Sequence, residues 1–403
     1  MRKEMKNIFL TLLLIAIGTV GFTQGNDFPA GSKPASTNIL GADYPRVDSL
    51  SRVYFRFRAP EATNISVSLG NVPLTKGEDG FWTGVTQSQD PGFHYYTLKI
   101  NGVDVADPSS ETFFGASRIM SGMEIPEKGV DFYDIKNVPH GEVSSFYYWS
   151  KSFGETRHAY IYTPPGYNKD TKTRFPVLYL QHGMGEDRRA WPNQGRANFI
   201  LDNLIAEGKA KPMIVVMDDG GIARGFGTPI RDKSGKILPQ TQGQAPRRPG
   251  GPGQGPNFWD EFTETIITDL IPTIDEQYRT LSNRENRAIA GLSLGGTQTY
   301  QISQANLDKF ANIGVFSAPF GFPGVETGYK GLLAKPAEFN KQVKVFFISM
   351  GSKEGPNSGR AIHETLDKAG INNVYYEAPG TAHEFQTWRK SLYGFAQLLF
   401  QNK

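Results

Sequence analysis

The chain of 403 residues contains no cysteine, so it forms no disulfides and cannot be tethered to a membrane through a lipidated N-terminal cysteine. Excess charge is also missing. The formal net charge is +3, part of it carried by Arg2, Lys3 and Lys6. Nothing in that balance argues for a polyanionic partner, and Arg247-Arg248 in a Pro/Gly tract is too small a cluster for a nucleic-acid footprint. The apolar run from Ile8 to about Phe22 falls short of the ~20 residues that a membrane span needs. No internal repeat is visible, and Gly250 to Gly255 lacks the Gly-Lys-Ser/Thr ending of a phosphate loop.

What is present begins with a basic start, that short apolar run, and small polar residues near Thr23 to Gly25. This is the layout of a cleaved export signal over 1–24 and fits a secreted or periplasmic protein. Residues 25–45 read as linker. From Val53 the pattern alternates: Val53, Phe55 and Phe57 share one strand face, and "ISVSL" at 65–69 repeats the alternation. Asn101-Gly102 between apolar stretches marks a tight hairpin. Short strands without a helical stretch predict a small immunoglobulin-like β-sandwich over 46–120, followed over 121–152 by a connector that also holds the first strands of the next unit.

From residue 153 the pattern is different. Short apolar runs at 159–162, 176–181, 212–217, 287–291, 313–318, 343–349 and 373–378 are separated by segments of helical period. One helix is marked by a cap at Asn257, Asp260 in its first turn, and apolar residues from Phe262 to Ile274 at spacings of three and four. The expected fold is α/β, a mostly parallel sheet with helices on both faces, preceded by the small β-sandwich. The Gly-, Pro- and Gln-rich stretch 220–257 cannot build a core and reads as a surface loop.

Within "RAIAGLSLGG", residues 287–296, Gly291-Leu292-Ser293-Leu294-Gly295 has the spacing of a strand-to-helix turn that holds a serine hydroxyl out of a strained backbone. A phosphate-cradling loop or a plain tight turn would use the same glycines, so the serine needs partners. In sheets of this type they follow in the order serine, acid, histidine. Six histidines are present. His94, His140, His158 and His363 fall on earlier strands, the connector or a helical stretch, whereas His383 follows the last buried strand, where a base can reach Ser293. The plain alternative is a loop histidine that caps the following helix. Glu354, just past the strand ending at Ser349, is the candidate acid; Glu377 lies on a strand and Glu384 neighbours the histidine directly. A surface ion pair is the plain alternative for Glu354.

Attack by a serine creates an oxyanion that needs two backbone donors. Leu294 N–H supplies one, and Met184 N–H, in the His-Gly-x-Gly turn at 182–185, supplies the other, with His182 read as a residue that stabilises that turn. Trp191, shortly after, is the candidate for lining the substrate pocket, with a core position as its alternative.

The stretches "LQHGMGEDRRAW", "NFILDNLIAEGKAKPMIVVMDDG", "DLIPTIDEQYRT", "NRAIAGLSLGG" and "HEFQTWRKSLYGFAQLLF" together resemble carbohydrate esterase family 1 of the α/β-hydrolases, over residues 150 to 400. The resemblance implies a Ser293 nucleophile, a His383 base and Leu294 with Met184 as oxyanion donors; Glu354 stands where that family usually has Asp. It further implies hydrolysis of ester-linked acyl groups, ferulate above all, on plant cell-wall polysaccharide, with no metal or organic cofactor. Acetyl xylan esterase, siderophore esterase, acyl transfer and a non-catalytic polysaccharide-binding protein are the alternatives. The N-terminal part is similar to the carbohydrate-binding family 48 modules found ahead of such esterases. Oligomeric state is not legible.

Overall fold

The computed structural model describes residues 28–220, 262–318, 321–355 and 358–401. The expected export signal, most of the 220–257 loop, and the Asn257 and Asp260 helix start lie outside them.

The N-terminal part is built of antiparallel strands in three sheets. Val53–Arg58 buries Val53 and Phe55 as its alternation predicts. Asn101 (φ 50°) and Gly102 (φ 89°) turn the chain between Leu98–Ile100 and Val103–Val105. Three boundaries differ from the sequence reading. Lys33–Pro34 pairs with Arg46–Val47, so the stretch read as linker contributes a strand to the first sheet. Arg118–Ile125 pairs with both Thr112–Gly115 and Gly92–Tyr96, which carries the N-terminal unit across the expected end at 120. Its alternation was hidden because it is buried on both sides. Met123 and Ile125 pack in the N-terminal core, while Phe113 and Phe93 on its partner strands pack in the core of the next unit.

The second unit starts before 153, its first strand Glu142–Ser150 lying in the stretch read as connector plus first strands, so the domain boundary at 153 is set too late. Among the described residues its sheet has eight strands: β1 (Glu142–Ser150), β2 (Glu155–Thr163), β3 (Val177–Gln181), β4 (Ile214–Asp218), β5 (Arg287–Leu292), β6 (Asn312–Phe316), β7 (Val345–Gly351) and β8 (Val374–Ala378). Their order across the sheet is β1-β2-β4-β3-β5-β6-β7-β8. Strands β3 to β8 are parallel, and β1 and β2 are antiparallel to their neighbours. Strands buried on both faces need apolar residues at nearly every position, which is why these segments read as continuous runs.

Helices cover both faces. The helical segment from Phe262, π-helical over Thr265–Leu270 and continuing as α2 (Ile271–Gln277), packs on one face beside α3 (Leu294–Ala305) and α5 (Ser358–Lys368), with α4 (Pro336–Gln342) near their edge. Helices α1 (Ala197–Ala206) and α6 (Phe385–Leu398) cover the other, together with Phe93 and Phe113 of the N-terminal part.

A buried ion pair joins the two units. The Arg389 guanidinium on α6, fully buried, meets the Glu124 carboxylate through two hydrogen bonds of 2.7 and 3.0 Å, and its Nε donates to the Gln194 carbonyl at 2.9 Å. Burial alone would push the Glu124 carboxyl up, but Arg389 outweighs it and the net shift is downward. An ion pair satisfied on this many sides orients the units, because any slippage would leave a charge buried without a partner.

Candidate active site

The turn after β5 is shaped by contact. A Cβ on Gly291 would lie 2.4 Å from the Gly295 carbonyl carbon, and one on Gly295 would lie 2.4 Å from the His182 carbonyl oxygen. Only glycine lets strand β5, helix α3 and the turn after β3 approach this closely. Ser293 itself has φ 52° and ψ −116°, a backbone conformation that L side chains rarely adopt. Its N–H donates to the Phe316 carbonyl at 2.8 Å, which ties the strained residue to β6.

Ser293 Oγ lies 2.9 Å from His383 Nε2, and His383 Nδ1 lies 2.8 Å from Glu354 Oε2. His383 stands between β8 and α6 with its ring edge-on to Trp388 at 5.2 Å. The second Glu354 oxygen accepts from Ser317 Oγ at 2.6 Å and from Gly351 N–H at 2.8 Å. Burial raises the Glu354 carboxyl, yet the hydrogen bonds from His383, Ser317 and Gly351 together outweigh it and hold it below the usual carboxylate range. A carboxylate that stays ionised here orients the imidazole and favours the tautomer with a free Nε2 toward the serine. Glu384 is engaged elsewhere, accepting from Ala382 N–H at 3.0 Å, and Glu377 pairs with Arg360.

Strands β3 and β5 run in register through Gln181 and Gly291, so the turns that follow emerge side by side. A Cβ on Gly183 would touch Leu292 and lie 3.6 Å from Ser293 Cβ. Met184 and Leu294 therefore leave adjacent strand ends, with the Met184 side chain exposed to solvent. His182 is buried, its Nδ1 2.8 Å from the Gly183 carbonyl.

Trp191 is a correction. It is 1% exposed, its indole N–H donates to the Gln181 carbonyl at 2.8 Å, and its ring meets Phe316 edge-on. The ring is packed in the core.

Several residues around the site were not singled out from the sequence. The buried Glu186 carboxyl accepts from Gly183 N–H at 3.0 Å; burial, with Asp187 adding, pushes it up to about 8. On the opposite side of the same turn, Ser117 N–H donates to the Gly185 carbonyl at 2.8 Å. Gly185 has φ 76°, and a Cβ there would lie 3.1 Å from Ser117 N. Gln194 donates to the Phe114 carbonyl at 2.9 Å and to the Tyr95 hydroxyl at 2.6 Å. "HGMGED" contains Glu186, but only the packing reveals its partner, and the Ser117 contact uses backbone atoms that carry no sequence signal. Among the described residues, no group of three or more His, Asp or Glu side chains is arranged to hold a metal, and no helix is long and apolar enough to cross a membrane.

The strand order, the serine on its strand-to-helix turn and the imidazole beside it define an α/β-hydrolase. The chain belongs to the Esterase family ("Putative esterase"), whose model matches residues 150–402. It is 39% identical over 384 residues to an endo-1,4-beta-xylanase/feruloyl esterase of Xylanibacter ruminicola, an alignment covering 91% of this chain and 47% of that protein, so the chain spans about half the length of that relative. Among solved structures it is similar to a CE1 ferulic acid esterase of Anaeromyces mucronatus, at 26% identity and TM-score 0.52, covering 67% of this chain and 96% of that one. An enterochelin esterase of Shigella flexneri shares the fold at 15% identity and TM-score 0.57, covering 87% of this chain and 92% of that one. That coverage reaches beyond residues 150–402 into the N-terminal strands.

Proposed function

We propose that this protein is an exported serine esterase that removes hydroxycinnamoyl groups, ferulate in particular, from plant cell-wall arabinoxylan. The observation that carries the reading is the continuous hydrogen-bonded path from Ser293 Oγ through His383 to Glu354. The substrate class is supported by the similarity to a xylanase/feruloyl esterase and to a ferulic acid esterase.

In this reading Ser293 Oγ attacks the ester carbonyl carbon while His383 Nε2 accepts the hydroxyl proton. The carbonyl oxygen becomes an oxyanion facing the Leu294 and Met184 N–H groups, donors already oriented before the charge develops. As the tetrahedral adduct collapses, the C–O bond to the sugar breaks and His383 returns the proton to the departing sugar oxygen. Water, deprotonated by the same imidazole, then attacks the acyl-enzyme, releases the free acid and restores Ser293. Glu354, held ionised by Ser317 and Gly351, stabilises the imidazolium that forms twice per turnover. Residues 1–24 serve as the export signal.

The test is product identification by chromatography after incubation with feruloylated arabinoxylan, acetylated xylan and a cyclic trilactone siderophore. Ferulate release from the first is the expected result. Acetate alone, or opening of the trilactone alone, would move the assignment to another ester class.

A further inference from the structure

Strands β1 and β2 form an antiparallel ribbon at one edge of the sheet, and one face of that ribbon carries an exposed row of aromatic side chains. On β1 the inward positions Phe146 and Tyr148 are buried, while Tyr147 and Trp149 point outward and are 63% and 60% exposed. Tyr147 pairs across the strands with His158, their rings stacked at 4.0 Å and 20°. Tyr160 follows on the same face, edge-on to His158 at 5.5 Å. Hydroxyls flank the rings: Ser145 bonds His158 Nε2, and Thr156 lies opposite Trp149. An outward strand position ordinarily takes a small polar or charged residue, so two large exposed aromatics in succession call for a ligand.

We propose that this ribbon face, centred on Tyr147 and Trp149, binds the sugar backbone of the polysaccharide whose ester is presented to Ser293; the assignment of a xylan-type chain rests on the esterase reading above. A pyranose ring has an apolar face of C–H groups and a rim of hydroxyls. Stacked on Tyr147 or Trp149 it removes apolar area from water, while its hydroxyls reach Ser145 and Thr156.

Charge and position both favour this occupant. The face is neutral: burial, with Arg188 adding, holds the His158 imidazole below its usual value, and the neighbouring Arg188 is paired with Asp219 at 2.9 Å. The ribbon is also continuous with the site. Tyr160 lies under the Arg188 guanidinium at 5.6 Å, and Arg188 belongs to the same loop after β3 as Met184. Across the sheet, Ala159 of β2 is paired with Asp218 of β4, and Gln181 of β3 with Gly291 of β5. The ribbon therefore lies level with the end of the sheet at which the serine turn emerges, with β1 four strand spacings from β5, or roughly 19 Å. A glycan of several units spans that distance, and a single esterified sugar does not.

The experiment uses the full chain and the variants Tyr147→Ala, Trp149→Ala and the double variant, with thermal unfolding as the check on folding. Linear β-1,4-xylohexaose is titrated calorimetrically into Ser293→Ala protein with and without the ribbon substitutions. In parallel, kcat/KM is measured on feruloylated arabinoxylan and on methyl ferulate. The expected results are xylohexaose binding weakened about tenfold or more in the double variant, and a similar fall in the ratio of polymer to methyl ester kcat/KM. An unchanged ratio, or equal xylohexaose affinity in all proteins, overturns the proposal. So does sedimentation showing that the ribbon substitutions dissociate a dimer while the ratio holds, which would make this edge a contact between copies. If the wild type cleaves neither ester, the esterase reading fails, and the xylohexaose titration alone still decides whether the ribbon binds glycan.

Discussion

The backbone N–H of Ser117, in a hairpin of the N-terminal part, donates to the carbonyl of Gly185 at 2.8 Å, so the N-terminal sheets hold the turn that carries Met184. From inside, the same turn is held by Glu186, which accepts from Gly183 N–H. In the proposed mechanism Met184 N–H faces the developing oxyanion, and such a donor is effective only if its turn is already in place; this turn is fixed from both sides.

Replacing Glu186 by Ala leaves Gly183 N–H buried without its acceptor. The expected outcome is a fall in kcat of about tenfold to a hundredfold, with KM changed much less, since the turn is needed most in the transition state. Steady-state kinetics on methyl ferulate check it. A rise in KM alone would instead assign the turn to ground-state binding.

Glu186 also has a signature in stability. Its folded value of about 8 lies above the ordinary 4.5, so between those values the folded protein holds a proton that the unfolded chain has lost. Its stabilising contribution is complete at acid pH and declines as pH rises through that window, by on the order of 1 kcal/mol per pH unit. Urea unfolding at pH 5, 6.5 and 8 checks it: wild-type stability is expected to fall relative to Glu186→Gln across the series.

Substituting Glu354 by Gln keeps the size of the side chain but removes the charge opposite the imidazole and can reverse the Nδ1 hydrogen bond. The tautomer needed for proton transfer is then disfavoured, and kcat is expected to drop by about 10³ or more. Ser317→Ala, which removes one of the three donors holding that carboxylate, is expected to lose about tenfold. Both are read as kcat on methyl ferulate.

Arg389→Met removes both charge-assisted hydrogen bonds to the buried Glu124 and leaves it only the longer 3.7 Å pair with Arg196, and a loss of about 3 kcal/mol is expected in urea unfolding. Arg389→Met combined with Glu124→Leu is expected to recover much of that loss, because the poorly compensated buried charge is gone. A double variant as unstable as the single one would mean that the hydrogen bond to Gln194 dominates.

The part of the site that was legible in the sequence is the part fixed by local backbone demands. The glycines around Ser293 are required by approaches as short as 2.4 Å, and His383 and Glu354 follow strands whose apolar runs are unambiguous. Trp191 was misread because an aromatic next to a functional turn says nothing about direction; its N–H points inward to Gln181. The contacts that join the units were illegible for a different reason. Glu124 and Arg389 are 265 positions apart, and the Ser117 contact uses backbone atoms alone. Strand Arg118–Ile125 was missed because burial against two cores erased its alternation.

If Ser293 is the nucleophile, the most telling measurement is kcat/KM on methyl ferulate for the wild type and Ser293→Ala. A loss of about 10⁴ or more is expected, with the thermal midpoint retained. Activity within tenfold of the wild type in a folded Ser293→Ala protein would contradict it.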